Sequence, residues 1–598
     1  MSGLGCIGLL LLVGSVILPL QSQAGFYDDS GENQGDYARI QSAPVAAPAQ
    51  DATHAMPAAE PAPPPPAMTP EEIQAEERAA ELALIREKSL AWIDEVSGQI
   101  PGLRYREQLA RLYHGVGYVP LWQDSFTVSD LEQQLWVLTL AEVSPDFEAR
   151  LKQLKHLKQS RDWRQYDLLA TDTLLAYLSF IEHVLDDGSQ WLFGQEVPAR
   201  IPAPADVTID TLMAALERDQ LNTFVASLKP AGRQYPQLLQ AIDRMEKIAQ
   251  KPWPVFSQAG IIRLGAWLSN PDALITMLER LGDLSPGEAA QLRASGKQHY
   301  NVDFVTAVKH FQQRHGLKVD GAIGPQTRGW LAVTPQQRIR LLALNAQRSR
   351  LWVSDHPSRL IVNIPGFALK LWLDNQRVFD ARVIVGQPKR PTPVMTSRIS
   401  AVVFNPYWNV PNSIMRKDIL PKVRYDRGYL YRHHYDVLRG WNSNEKIPIN
   451  SIDWRYVSAK NFPYRLRQKP GAHNALGRFK FNIPNNQAIY LHDTPSKSLF
   501  NKDFRAFSSG CIRVQGADEL AKVLLTYAGV SEARFEELAG RTSTRTVGVK
   551  TRIEVFLIYQ TAWVDEQGLV NFRPDVYQYD AQDKNSPDSE KFASVYKN

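Results

Sequence analysis

A histidine and a cysteine 19 positions apart are the residues of this chain whose types could do nucleophilic chemistry: His492 opens His492-Asp493-Thr494, and Cys511 lies within Ser508-Ser509-Gly510-Cys511-Ile512-Arg513-Val514. A thiol with a pKa of about 8.5 is mostly protonated at neutral pH, and an imidazole that accepts its proton leaves a nucleophilic thiolate. Ser508, Ser509 and Gly510 are small enough for a tight turn whose backbone N–H groups can face a developing oxyanion. A Cys/His pair is by itself a common combination, and many lone thiols are inert. Its placement in the chain has to decide.

The elements that must position the pair are short strands. Leu360 to Ile364, Phe367 to Leu373, Val378 to Val385, Ile399 to Phe404, Phe479 to Ile483 and Ala488 to Leu491 are apolar or alternating runs separated by turn residues such as Asp374-Asn375 and Pro484-Asn485-Asn486. In the last run Ile489 and Leu491 point to one side, and Tyr490 and His492 to the other. A helix should follow the cysteine loop, with Asp518 near its start and Leu520, Val523 and Leu524 as its apolar stripe.

At 598 residues the chain is too long for one hydrophobic core, so three or four domains are expected. A 44% hydrophobic fraction with 22% charged residues is ordinary globular composition, and the net charge of +5 selects no partner class. Leu4 to Leu20 is an apolar run ending in Ser22-Gln23-Ala24, which predicts an exported protein with a signal peptide over residues 1–24. No Lys or Arg precedes Arg39, so an uncleaved anchor stays open as the alternative. Removal of that leader leaves Cys511 as the single cysteine, which precludes an intramolecular disulfide. Residues 25–70, rich in Ala and Pro, read as a disordered tether.

Helical periodicity starts at Thr69-Pro70-Glu71-Glu72 and predicts an α-helical scaffold over residues 71–255. The aromatic turn from Tyr113 to Trp122 within it is assigned to packing. Over residues 256–335, Val302, Val305, Val308 and Phe311 form one helical face, Gly316 stops that helix, and Pro325 opens another. Ala307 through Leu317, followed by Val319-Asp320-Gly321 and Ile323-Gly324-Pro325-Gln326-Thr327, resembles the three-helix peptidoglycan-binding domain of wall enzymes. His310 and His315, at i and i+5, do not share a helical face and are expected to be solvated rather than to hold a metal.

His492, a spacer and Ser508-Ser509-Gly510-Cys511-Ile512-Arg513 resemble the active-site signature of the L,D-transpeptidases, cysteine enzymes that cross-link peptidoglycan. The commoner form of that motif has Ser-His-Gly-Cys, and Ser509 stands in the histidine place here. The resemblance covers the β region from about Ser358 to Tyr559 within a mainly β catalytic domain read as 338–560, leaving 561–598 as a C-terminal tail; with the helical parts it matches the large, scaffold-bearing subtype of Gram-negative periplasms. It implies Cys511 as nucleophile, His492 as general base and acid, oxyanion or substrate contacts from Ser509, Gly510 and Arg513, and no cofactor or metal. Asp493 is a candidate to orient His492, with a solvated loop acid as the alternative. Trp408 and Tyr490 are candidate apolar walls of the cleft.

Residues 412–475 hold 13 Lys or Arg against 5 Asp or Glu, interleaved with Tyr425, Tyr429, Tyr431, Trp441, Trp454 and Tyr464. Such a mixture can bind nucleic acid, but export and the neighbouring site favour anionic stem peptides, and a basic capping lid is expected over the cleft. A solvated basic surface is the plainer alternative. The fold class is therefore multidomain α+β. The expected partners are peptidoglycan tetrapeptide stems and peptidoglycan synthases, with no nucleic acid and no membrane beyond a retained leader. Periplasmic 3→3 cross-linking is the first functional expectation. A carboxypeptidase or endopeptidase on the same site and a non-catalytic wall-binding scaffold are the other two.

Overall fold

The computed structural model describes residues 69–580, apart from positions 99, 101, 187, 297, 354, 355 and 459. The predicted leader, the tether up to residue 68 and the end of the tail from residue 581 lie outside the described residues.

The alternating sequence after residue 358 becomes strands β1 (Arg359–Asn363), β2 (Ala368–Leu373), β3 (Gln376–Gly386), β4 (Met395–Arg398) and β5 (Ala401–Phe404). The basic segment follows with β6 (Trp408–Asn409), β7 (Tyr435–Leu438), β8 (Lys446–Ile447) and β9 (Arg465–Gln468). Then come β10 (Phe479–Asn482), β11 (Tyr490–His492), β12 (Ala506–Ser508), β13 (Ile512–Val514), β14 (Arg545–Gly548) and β15 (Glu554–Ile558). The main sheet runs β14-β5-β10-β11-β13-β3-β2-β1-β15-β4, with β12 beside β3. β11 and β13 are parallel neighbours, which brings the histidine strand and the cysteine loop together although 19 residues separate the two side chains.

This sheet buries Leu360, Leu369, Val383, Phe481, Leu491 and Ile512 on one face. Helix Ala517–Tyr527 covers that core with Leu520, Leu524 and Leu525, while Val523 is only partly buried. The basic segment is a small body of its own, with sheet order β6-β9-β7-β8 and a core of Val410, Met415, Val423, Leu430, Val437 and Leu466.

The helical part contains Pro70–Ser97, Arg106–Gly115, Ser125–Leu140, Pro145–Ser160, Trp163–Leu185, Asp206–Glu217 and Gln234–Ala249. The aromatic turn is core: Tyr113 is buried and donates to Asp167, and the Trp122 indole donates to Thr171 at 3.0 Å. Four further helices follow, Pro271–Leu281, Pro286–Ala294, Val302–Arg314 and Pro325–Ala332, and the third ends just ahead of Gly316 as its sequence implies.

Three features differ from the sequence-based expectation. Residues 561–580, expected as a tail, form the hairpin β16 (Ala562–Val564) and β17 (Val570–Phe572), whose Val564 and Phe572 enter the helical core. Helix Pro335–Arg348 packs into the same core rather than with the sheet. His315, expected to be solvated, is completely buried between Phe311 and Phe572, at ring distances of 3.8 and 5.5 Å, while His310 is exposed. The hairpin that covers it arrives from more than 240 residues away in sequence, so helical spacing around His315 could not reveal the burial.

Candidate active site

Sheet register fixes which residues share the face opposite the core. Phe481 pairs with Leu491, and Leu491 with Ile512, and all three are buried in the core. Side chains alternate along a strand, so Lys480, Tyr490, His492, Cys511 and Arg513 are directed to the other face. Lys480 is the cross-strand partner of His492, which in turn is the partner of Arg513. One row across three strands thus reads lysine, histidine, arginine.

The thiol of Cys511 is partly exposed and donates toward the Ala488 carbonyl at 3.8 Å. Burial pushes its pKa up, opposed by hydrogen bonds from the Tyr490 backbone N–H and hydroxyl and by the positive charges of Lys480 and Arg513. Tyr490 is held well above its ordinary range by burial and by the thiol it faces, and the Trp408 indole N–H donates to it. Tyr490 therefore links two candidate residues, contacting the thiol on one side and Trp408, in the sheet of the basic segment, on the other.

His492 is buried, and its Nδ1 lies 2.5 Å from the Asp493 backbone carbonyl. A carbonyl only accepts, so Nδ1 carries the proton and Nε2 keeps its lone pair. Burial is the main reason its pKa falls to about 3; the Arg513 and Lys480 charges add to the drop, and the Asp493 carbonyl opposes it. The ring packs against Tyr490 with centroids 5.7 Å apart. Among the described residues the imidazole is not a hydrogen-bond partner of the thiol; Ala488 and Tyr490 are. Both shifts favour the uncharged forms, thiol and imidazole. The Asp493 carboxylate turns away from the ring, accepting from the Arg478 N–H at 2.9 Å and pairing with Lys497, so this residue orients His492 through its backbone.

The turn before the cysteine is built by its neighbours. Gly510 has φ +117°, which side-chain-bearing residues rarely adopt, and a Cβ there would meet Ile489 Cδ1 at 3.2 Å. Ser508 Oγ donates to the Cys511 carbonyl at 2.6 Å and accepts from the Gly510 N–H at 3.2 Å. Thr392 Oγ1 donates to the Gly510 carbonyl at 2.7 Å and accepts from the Gly386 N–H at 2.8 Å. Gly386 is required by close approach, since a Cβ would lie 2.2 Å from the Arg390 carbonyl. Ser509 faces outward and accepts from the Arg390 guanidinium at 2.9 Å, and that guanidinium also pairs with Asp418 of the basic segment at 2.5 Å.

The structure therefore groups Cys511, Tyr490, Trp408, His492 and Arg513 directly, shapes Gly510 as the turn, and places Ser509 on the side facing the basic segment. Lys480, Thr392 and Arg390 were missed by sequence reasoning. The signal for Lys480 was present: a charged residue between Phe479 and Phe481 must lie on the face opposite the core. Thr392 and Arg390 lie in a loop whose course no local pattern specifies. No cluster of three or more metal-ligating side chains occurs among the described residues.

A thiol turn and a carbonyl-oriented imidazole thus share the face opposite the core of a mainly β sheet, joined to a helical scaffold. Residues 357–555 match the family model of the YkuD L,D-transpeptidase catalytic domain, residues 107–242 that of a scaffold domain, and residues 271–331 that of a "Putative peptidoglycan binding domain". A Haemophilus influenzae protein described as a "Putative L,D-transpeptidase" is 31% identical over 480 residues, covering 80% of this chain and 79% of that protein. The chain belongs to the L,D-transpeptidase family. A solved L,D-transpeptidase from Stackebrandtia nassauensis aligns with 51% of this chain and 96% of its own at 13% identity, with a TM-score of 0.19, too low to bear on the fold.

Proposed function

We propose that this protein forms 3→3 peptidoglycan cross-links in the periplasm through a thioester on Cys511. The observation that carries the reading is the His492 imidazole, fixed by the Asp493 carbonyl with Nε2 left free, on the sheet face it shares with Cys511. As substrate engages, Cys511 releases its contact with Ala488 and His492 Nε2 accepts the thiol proton, a contact that commonly tightens only in the substrate complex. Sγ attacks the carbonyl that joins the L-centre of diaminopimelate to the terminal D-Ala of a tetrapeptide stem. The C–N bond breaks, D-Ala leaves with the proton from His492, and a thioester remains. The side-chain amine of a second stem attacks the thioester, His492 accepts its proton, and the new amide releases the thiolate.

The Cys511 backbone N–H holds the oxyanion, the Gly510 N–H being engaged by Ser508 Oγ in shaping the turn, and Arg513 receives a stem carboxylate. The basic segment acts as a lid over anionic stems, with Trp408 and Tyr490 as the seam between lid and cleft. Export by the N-terminal leader delivers the enzyme to its substrate, and peptidoglycan synthases supply the donor strands. Muropeptides incubated with the purified protein test the reading by mass spectrometry. Expected are release of D-Ala, a 3→3 dimer, a transient acyl adduct on Cys511, and loss of all three in Cys511→Ala. D-Ala release without dimer would identify a carboxypeptidase, and dimers from Cys511→Ala would exclude the cysteine as nucleophile.

A further inference from the structure

Two cations face one thiol on this sheet, and neither has a carboxylate partner among the described residues. Lys480 lies between Phe479 and Phe481, which both point into the core, so its side chain is directed to the catalytic face. Its ammonium sits 4.4 Å from the centroid of the Tyr490 ring, whose hydroxyl reaches Cys511. Arg513 is half-buried beside His492, and its Nε is buried without a hydrogen-bond partner. The acid that follows His492, Asp493, is taken by Lys497 and the Arg478 N–H. Burying cations without counter-ions costs free energy, and an arrangement that retains them favours an anion in their midst.

That anion can be a group already in the site. The same two cations repel a proton from His492, so an imidazolium is a poor standing counter-charge for the thiolate. The groups facing Cys511 are Tyr490, Lys480 and Arg513, and those facing His492 are Lys480, Arg513 and Tyr490. Arg513 already has a proposed task with the substrate, which leaves the lysine.

We infer that Lys480 is a positioning residue for the thiolate: its ammonium, seated on the Tyr490 ring, is the fixed counter-charge that stabilises the Cys511 thiolate while His492 passes the proton on. The proton balance is that of the reaction above: the thiol proton goes to His492 Nε2 and leaves with the D-Ala nitrogen, while Lys480 keeps its own throughout. This inference rests on the cysteine-nucleophile reading and goes beyond it by separating the proton acceptor from the counter-ion.

The test is the pH profile of Cys511 alkylation by iodoacetamide in the full chain, in wild type, Lys480→Met and Lys480→Arg. The expected result for Lys480→Met is an upward move of the profile on the order of one pH unit, as loss of a nearby opposite charge requires. Its kcat for D-Ala release falls about tenfold with KM little changed, and Lys480→Arg restores most of both. Circular dichroism melts confirm that each variant is folded, and an unfolded Lys480→Met leaves Lys480→Gln to be read in the same way. An unmoved alkylation profile in a folded variant overturns the inference, as does a raised KM with the profile unchanged, which would make Lys480 a substrate contact. Failure of wild type to release D-Ala would sink the underlying reading instead, so the two failures are told apart.

Discussion

Two buried histidines in this chain share one local arrangement and differ in what surrounds the second ring nitrogen. His315 and His492 are both enclosed by protein, both direct Nδ1 at a backbone carbonyl, at 2.7 Å to Phe311 and 2.5 Å to Asp493, and both lie beside an arginine. Both have their pKa lowered, by burial first and by arginine charge second. They differ at Nε2. In His315 that nitrogen accepts from Arg338 at 2.9 Å, and the ring stacks with Phe311 and Phe572, so its bonding capacity is spent. In His492 no described residue occupies Nε2. Burial and a depressed pKa accompany both, and the free lone pair on Nε2 distinguishes the proposed base from the packing element.

The largest test of that contrast is to remove each ring. His492→Gln should lower D-Ala release by about 10²–10⁴-fold, the usual contribution of a general base, with only a small change in urea midpoint. His315→Leu should do the reverse: activity within a few-fold of wild type, and a loss of about 2–4 kcal/mol as Arg338 loses its acceptor and the aromatic stack is broken. If His315→Leu abolished activity in a folded protein, the helical core would be coupled to the chemistry and the contrast would fail.

A smaller effect concerns acid. A histidine in the unfolded chain takes a proton near pH 6.5, whereas folded His492 stays neutral down to about 3, so the unfolded state binds the proton first. Its contribution to stability is complete above pH 6.5 and is lost as pH falls through that window toward 3, at up to about 1.4 kcal/mol per unit. His315, shifted in the same direction, adds to the slope. Urea midpoints from roughly pH 6.5 to 4 should decline less steeply in either histidine variant than in wild type. Parallel declines in all three would mean that the rings gain their protons while the protein stays folded.

The smallest effect lies at the Arg390–Asp418 contact between the cysteine turn and the basic segment. Both side chains are partly exposed, so the pair should contribute no more than about 1 kcal/mol. Arg390→Ala should quicken amide hydrogen exchange over residues 415–425 and change D-Ala release only a few-fold. Unchanged exchange there would remove Arg390 as a tie between the basic segment and the turn.

The face of His492 and Tyr490 was legible because alternation is local: once Leu491 is core, its neighbours are not. The cysteine turn was legible for the same reason, since Gly510 and two serines announce a tight bend. The helix after the loop was placed by its apolar spacing. The contact of Tyr490 with the thiol was not legible, because it depends on β11 lying parallel to β13. The burial of His315 and the hairpin over residues 561–572 escaped for a related reason, since their partners lie hundreds of residues apart.

What the sequence determined by itself, then, is a set of local commitments: an apolar face for the core strands, caps or stops for several helices, and a histidine and a cysteine at strand and loop ends. They follow from periodicity and turn chemistry, which act over a few residues. Only the tertiary structure decided which of two similar histidines keeps a free nitrogen, which lysine stands by the thiol, and which arginine ties the turn to the basic segment. Those outcomes depend on strand order and on surfaces brought together from distant parts of the chain, where packing rather than local propensity sets the neighbours.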